Sequence, residues 1–317
     1  MNVLAIDLGG TSSKCAVFSE KKVIRCEFKV TTNKAAILQT IKEEIDQQLE
    51  KHQIDWSTIS QIGFAIPGFL DEKNGIVALA GNLNWRNFNI KGEAEKIFQK
   101  PVHIINDANA AALAEYWDRI YDKKESLVLY TLGTGIGGGI VLNGQLWTGS
   151  NGFAGELGHG GCFQTLFACT CGLENCIEPV SSATGLTKLI NQNADENPGS
   201  LLHQLKEKEK HDLKLVDIKP LFDKNDELTI ATITRGLIPL AYHIVTMLYI
   251  LNPEVIILAG GVTNLGVKLK NILQELVKAR IGDFMLKTFT IEISNLQDKA
   301  GMYGTGYYAL SKIDETK

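Results

Sequence analysis

The chain lacks a strong excess of either charge, a low-complexity segment, and any uninterrupted apolar run of membrane-spanning length. Its 32 basic and 36 acidic side chains leave a formal charge of −4, which argues against nucleic acid as the main partner. It also lacks a signal peptide: Asp7 and Lys14 interrupt the opening apolar stretch, so a cytoplasmic protein is expected. Leu228 to Leu251 is the single long apolar stretch. Arg235, Gly236, Pro239 and His243 break it, and it opens after Asn225-Asp226-Glu227, a helix-start signal. It reads as a long buried helix, and no membrane partner is expected.

Cysteines are few and unevenly spread. Cys15 and Cys26 fall in strand-like runs and read as buried packing residues. The other four are Cys162, Cys169, Cys171 and Cys176. His159 completes an H-x9-C-x-C-x4-C pattern with the last three. Clustered cysteines in a chain without a secretion signal point to metal before disulfides. Four soft ligands in one short segment can close a tetrahedral zinc site, and with every position filled by protein the zinc is structural. Cys162 is left as a spare thiol. Glu156 stands three residues before the histidine and Glu178 two after the last cysteine. A metal that pins this loop also pins two carboxylates, which suggests a zinc-organised pocket instead of a free-standing finger.

The length of 317 residues favours two domains. Apolar residues at 44% and charged residues at 21% allow a large core. Val3–Asp7, Lys14–Phe18 and Val23–Val30 read as strands, the first two separated by Gly9-Gly10-Thr11. Ile37, Ile41, Ile45 and Leu49 have helical spacing within 35–51. Strands follow at Ile62–Ile66 and Val102–Ile105, then an alanine-rich helix over 108–117. A second round echoes the first. Leu127–Leu132 is a strand, 133–139 a glycine turn, 140–142 a strand, and Val255–Leu258 a strand before Gly260-Gly261 and a helix over 267–277. Two related α/β halves with a cleft between them are expected. The polar region 191–224 reads as a helical insertion with loops.

Gly133 to Gly138 matches G-x-G-x-x-G, but a dinucleotide fingerprint must open a helix. Here the turn leads into Ile140-Val141-Leu142, so it joins two strands. It is either a plain glycine hairpin or an anion nest whose amides cradle phosphate. At Asp7-Leu8-Gly9-Gly10-Thr11, glycines allow close backbone approach to a phosphate. Thr11 adds a hydroxyl, Lys14 a charge, and Asp7 a carboxylate suited to magnesium; the alternative for Asp7 is a turn cap. Two such turns plus Gly260-Gly261 favour a nucleotide. Asn106-Asp107 lies between a strand and a helix. Asp107 is either a general base for a substrate hydroxyl or a helix N-cap.

These residues together closely resemble the ROK family of sugar kinases, repressors and related open reading frames, from Asp7 to roughly Leu310. Asp7-Leu8-Gly9-Gly10-Thr11 is similar to its first phosphate motif, Leu132 to Gly139 to its second, and Leu258-Ala259-Gly260-Gly261 to its adenosine-side motif. The most specific pieces are Gly155-Glu156-Leu157-Gly158-His159, Cys169-Thr170-Cys171-Gly172 and Cys176-Ile177-Glu178. The resemblance implies an α/β actin-like ATPase (ribonuclease-H-like) fold of two α/β domains with an interdomain cleft. The boundaries expected are 1–115 plus about 302–317 for a small domain, and 116–301 for a large one holding the zinc loop.

The resemblance further implies an ATP-dependent hexokinase acting on the 6-hydroxyl of glucose or a glucoside, with Asp107 as base. It places Asn82, Asn106, Glu156, His159 and Glu178 on the sugar. ATP and Mg2+ fall to Asp7, Gly9, Gly10, Thr11, Lys14, Gly133, Thr134, Gly135, Gly260 and Gly261. Structural Zn2+ falls to His159, Cys169, Cys171 and Cys176. A homodimer is expected, because many members are dimers. Asn175 stands where the family has glycine, and asparagine tolerates the left-handed turn. Pro179-Val180-Ser181-Ser182 and a shortened loop near Asn82 also depart from the pattern, which leaves open N-acetylmannosamine, N-acetylglucosamine, fructose or allose as substrate. No long basic track favours polyphosphate as donor. Two other classes fit the sequence less well. A sugar-responsive repressor needs a DNA-reading helix, and only six residues precede Asp7. A dinucleotide oxidoreductase needs a helix where a strand follows the glycine loop.

Overall fold

The computed structural model of the chain describes residues 1–119, 125–160 and 166–314, so Cys162 lies outside the described residues. The chain divides into two compact units. One takes residues 1–123, 139–155 and 298–317; the other takes 124–138 and 156–297.

The first unit opens with β1 (Asn2–Asp7), β2 (Ser12–Ser19) and β3 (Ile24–Thr31), a meander of antiparallel pairs. Helix α1 (Ile37–Lys51) buries Ile37, Ile41, Ile45 and Leu49, the stripe that its spacing requires. Next come β4 (Ile59–Ile66), a small antiparallel sheet of β5 (Phe69–Asp71), β6 (Ile76–Ala80) and β7 (Trp85–Phe88), and helix α2 (Ile90–Phe98). Strand β8 (Val102–Asn106) leads directly into α3 (Asp107–Asp118). The main sheet runs β3-β2-β1-β4-β8, with β1, β4 and β8 parallel. Leu4 and Ile6 of β1 join the core formed with α1, whereas Val3 and Ala5 pack with Met302, Ala309 and Leu310. A strand covered on both faces must be apolar throughout, which is why Val3 to Ile6 is one continuous run. Cys15 and Cys26 are buried in β2 and β3, as expected.

The second sheet is built from β9 (Leu127–Leu132), β10 (Ile136–Leu142), β11 (Gln145–Leu146), and the later β12 (Val255–Ala259) and β13 (Thr290–Ile293), in the order β11-β10-β9-β12-β13. Counting each sheet's own strands along the chain, both run third-second-first-fourth-fifth. The echo seen in the sequence is therefore a repeated topology. After α4 (Glu178–Ser181), the end of α5 (Ala183–Glu196) with α6 (Leu201–Glu209) and α7 (Leu215–Asp223) forms the polar insertion. Helix α8 (Glu227–Leu251) is long and apolar enough to cross a membrane. It buries Ile233, Leu237, Leu240, Ile244 and Leu248 and packs against α4, α5 and α9 (Val267–Lys278).

The glycine turn is shorter than its composition suggests. β10 begins at Ile136, so the turn is 133–135 and the next three glycines are strand. Gly139 shows why: a Cβ there would stand 2.9 Å from Ala108 O, so this glycine serves close packing on α3. The terminal helix α10 (Ala300–Asp314) returns to the first unit and lies along α3. The expected boundaries at 115 and about 302 fall inside α3 and α10, two helices that the first unit keeps whole.

Parallel strands place particular residues at their carboxyl ends, where open α/β sheets bind ligands. In the first sheet Asp7 pairs with Ala65 and Ile66 with Asn106, so Asp7, Pro67-Gly68 and Asn106-Asp107 share one edge. In the second, Thr131 pairs with Ala259, which brings the 133–135 turn beside Gly260.

Candidate active site and metal centre

Asp7 ends β1 opposite Lys14 across the hairpin. Its carboxyl lies against α10, where a Cβ on Gly301 would stand 2.8 Å from Oδ2. Burial, then the charge of Asp107, push the Asp7 pKa up to about 6, against a smaller opposite pull from Lys14. Lys14 itself is turned to Asp298, with Nζ 2.9 Å from Oδ2 and donating to the same residue's carbonyl. In this structure that ammonium balances Asp298 at the edge of the turn. Gly10 packs on Asn82, its Cβ position 3.4 Å from the Asn82 carbonyl, so the first glycine turn and Asn82 are neighbours. Thr11 is exposed, and its carbonyl accepts the Thr32 N–H.

The helix cap between β8 and α3 falls to Asn106. Its Oδ1 accepts the Ala108 and Asn109 N–H groups at 2.9 and 3.1 Å, and its Nδ2 donates to Gly68 O at 3.1 Å. One residue cannot be both cap and first helical residue, so Asp107 starts the helix. Its carboxylate accepts the adjacent Ala108 N–H at 2.9 Å. Burial pushes its pKa up despite that bond. A carboxylate with raised proton affinity at a strand's carboxyl end is suited to general-base work. A half-buried acid that the sequence did not single out, Glu72, accepts the Asn106 N–H at 3.0 Å. Asp71-Glu72-Lys73-Asn74 reads as an ordinary polar turn, and no local signal separates Glu72 from its neighbours.

In the second unit, the turn after β9 is tied down on two sides. Gly133 O accepts the Ala183 N–H and Thr134 O accepts the Thr184 hydroxyl, both at 2.8 Å. From the other side Glu178 Oε2 accepts the Ile136 N–H at 2.9 Å. A Cβ on Gly135 would collide with that oxygen. Gly260, with φ +90°, crosses over Leu132, and Gly261 opens a 3-10 turn. Thr134, Thr184, Lys188, Lys214, Gly261 and Asn264 line a cavity of about 640 Å³. That size suits a nucleoside.

His159, Cys169, Cys171 and Cys176 place one ligand atom each within 4.8 Å of one another. His159 Nδ1 is 3.5 Å from Cys169 Sγ, and the Cys171 and Cys176 sulfurs are 3.6 Å apart. A tetrahedral zinc with bonds of about 2.3 Å to sulfur and 2.0–2.1 Å to nitrogen sets N···S edges near 3.6 Å and S···S edges near 3.8 Å. The donor set and its spacing therefore fit zinc. Burial pushes the Cys176 thiol up to about 12 and raises that of Cys169, whereas the Leu173 N–H holds that of Cys171 down. A dication reverses such shifts, since it binds thiolates. With Nδ1 facing the sulfurs, Nε2 is the His159 nitrogen that points to chemistry outside the cluster. The His159 N–H bonds the Glu156 carbonyl at 3.1 Å, so Glu156 starts the same loop. Glu178 Oε1 lies 4.0 Å from Cys169 Sγ.

Residues 3–312 match the pattern of the ROK family. A glucokinase of Halalkalibacterium halodurans is 33% identical over 315 residues, covering 96% of this chain and 93% of that protein. A ROK hexokinase from Thermus thermophilus superposes with a TM-score of 0.81 at 26% identity, covering 99% of this chain and all of that one. A ROK family glucokinase from Streptomyces griseus, solved with glucose and AMPPNP, gives a TM-score of 0.79 at 26% identity over 97% of this chain and 99% of that one. With the repeated sheet topology, the metal cluster and these matches together, the chain belongs to the ROK family, whose members share the actin-like ATPase fold.

Proposed function

We propose that the protein is an ATP-dependent hexokinase that transfers the γ-phosphate to the 6-hydroxyl of glucose or a glucoside. The observation that carries it is Asp107, held at the carboxyl end of β8 with raised proton affinity while Asn106 supplies the cap. Asp107 accepts the 6-hydroxyl proton as that oxygen attacks phosphorus in line. Asn82, Asn106, Glu156, His159 and Glu178 hold the sugar. Asn106 offers its second amide hydrogen, because the first serves Gly68. The turns 9–11 and 133–135 take the phosphates, and the cavity beside Gly261 takes the nucleoside. Bound magnesium supplies neutralisation of phosphate charge, and Asp7 is the carboxylate placed for it or its waters. Phosphoryl transfer asks the protein mainly for positioning and charge stabilisation.

The test is a coupled ADP-release assay over hexoses, N-acetylhexosamines, fructose and β-glucosides. Glucose or a glucoside is expected to give the highest kcat/KM. A ranking led by an N-acetylhexosamine or fructose would keep the kinase and replace its substrate. No ADP release with any sugar would end the reading.

A further inference from the structure

The Glu178 carboxylate touches two different structures. Oε2 accepts the Ile136 N–H of the phosphate turn at 2.9 Å, while Oε1 lies 4.0 Å from the Cys169 sulfur. The backbone repeats the link: Glu178 N donates to Gly158 O at 3.1 Å, and a Cβ on Gly158 would collide with Ile136 O. Glu178 also follows the ligand Cys176 by two residues. Gly135 makes the arrangement possible, since any side chain there would displace Oε2. On its far side the same turn is held by Ala183 and Thr184, and Thr134 lines the nucleoside-sized cavity. The Gly133 N–H is used by Gly135 O and the Ile136 N–H by Glu178. Thr134 and Gly135 remain as the turn's amide donors for phosphate oxygens, among the described residues.

We infer that Glu178 is a positioning strut: metal bound at His159, Cys169, Cys171 and Cys176 fixes Glu178, Glu178 fixes the 133–136 turn, and nucleoside triphosphate binding is thereby tightened. The inference rests on the proposed reading of that turn as a phosphate site. A hydrogen bond to a charged carboxylate is roughly twice as strong as a neutral one. Its loss frees one side of a turn whose two remaining amides must be aimed together. Oε2 is committed to the turn, so Oε1 is the oxygen left for a sugar hydroxyl. One residue then serves the metal loop, the sugar and the phosphates.

The test is hydrogen-exchange mass spectrometry on the full chain, zinc-loaded, stripped with chelator, and reloaded. Stripping is expected to speed exchange of the segment 133–138 about tenfold in the wild type, reversibly, while β1 and β4 peptides stay protected. Zinc-loaded Glu178→Ala is expected to show the same rise already, with no further change on stripping. Gly135→Ala, which keeps all four ligands and Glu178 but sets a methyl against Oε2, is expected to behave likewise and to retain zinc. An unchanged segment in stripped wild type, or a zinc-loaded Glu178→Ala that exchanges like loaded wild type and rises equally on stripping, would overturn the strut. Calorimetry with a non-hydrolysable ATP analogue separates the two readings. About tenfold weaker binding after stripping supports both. Absence of any nucleotide binding, with the exchange pattern intact, keeps the strut and ends the kinase.

Discussion

Asp7 and Asp107 stand at the carboxyl ends of β1 and β8 in the same sheet, and the charge of Asp107 raises the proton affinity of Asp7. The two acids are therefore one electrostatic unit, with the proposed base after one strand and the carboxylate proposed for magnesium at the end of the other. Asp107→Asn removes the base and keeps the size. General-base assistance is worth on the order of 10²–10⁴ in rate. kcat is expected to fall at least about a hundredfold, with zinc content and thermal midpoint preserved. Steady-state kinetics beside a melting curve checks this, and near-normal turnover would remove Asp107 from the mechanism.

The same pair sets a pH dependence of stability. Asp7 has a folded pKa of about 6 against an ordinary value of 3.8. Between those values the folded chain holds more protons than the unfolded one. Stability from this group is present below about pH 4 and lost as pH rises through 6. Asp7→Asn, measured without magnesium, is expected to match wild type near pH 4 and to exceed it by about 3 kcal/mol above pH 6.5. Denaturant midpoints across that range give the answer. A difference that does not grow with pH would show that Asp7 is not held against its charge.

What the sequence shows and hides follows from range. Strand β1 is legible because both of its faces are covered, so every residue from Val3 to Ile6 is apolar. The candidate metal ligands are legible because all four lie within eighteen residues. The 133–135 turn is shorter than its glycine run implies, because Gly139 in β10 answers to α3 and not to a bend. Glu72 was invisible, since its partner Asn106 lies 34 residues away. The alternative role of Asp107 as a cap dissolved for a local reason: Asn106 already fills that position.

Cys171 is the most exposed of the four candidate ligands, yet its sulfur lies 3.6 Å from that of Cys176. Cys171→Ser replaces a soft ligand with a poor one. Zinc and glucose affinity are expected to fall together, because Glu156, His159 and Glu178 share the loop. Elemental analysis with sugar titration reads both. Zinc-free protein that keeps wild-type glucose affinity would separate the metal from the sugar.

Gly304 on α10 lies against the Ala110 carbonyl of α3, with no room for a Cβ. The two helices touch backbone to backbone, and α3 begins with Asp107. Gly304→Ala must push them apart. Overpacking of this kind costs about 1–3 kcal/mol, or roughly 2–4 °C in Tm for each kcal/mol in a domain of 150–250 residues. Calorimetry is expected to show a lower Tm, and assays a lower kcat from the displaced base. An unchanged Tm would mean that the helices are not locked by this contact.

His243 on α8 lies with Nδ1 2.8 Å from the hydroxyl of the fully buried Tyr130. Burial lowers the His243 pKa to about 4, so the imidazole is neutral and accepts the Tyr130 O–H. The unfolded chain titrates near 6.5 and binds the extra proton first as pH falls. Stability is therefore full above about pH 6.5 and declines toward pH 4. A shift of this size corresponds to about 3 kcal/mol. This slope runs opposite to that of Asp7, so only a variant isolates it. Paired substitution, Tyr130→Phe with His243→Leu, removes donor and acceptor together and leaves no orphaned polar atom. The double variant is expected to lose about 3 kcal/mol less than wild type between pH 6.5 and 4. His243→Leu alone is expected to be less stable than the double variant at pH 7, because it strands the Tyr130 hydroxyl. Parallel acid-unfolding profiles would show instead that His243 titrates freely and that the pair carries no burial cost.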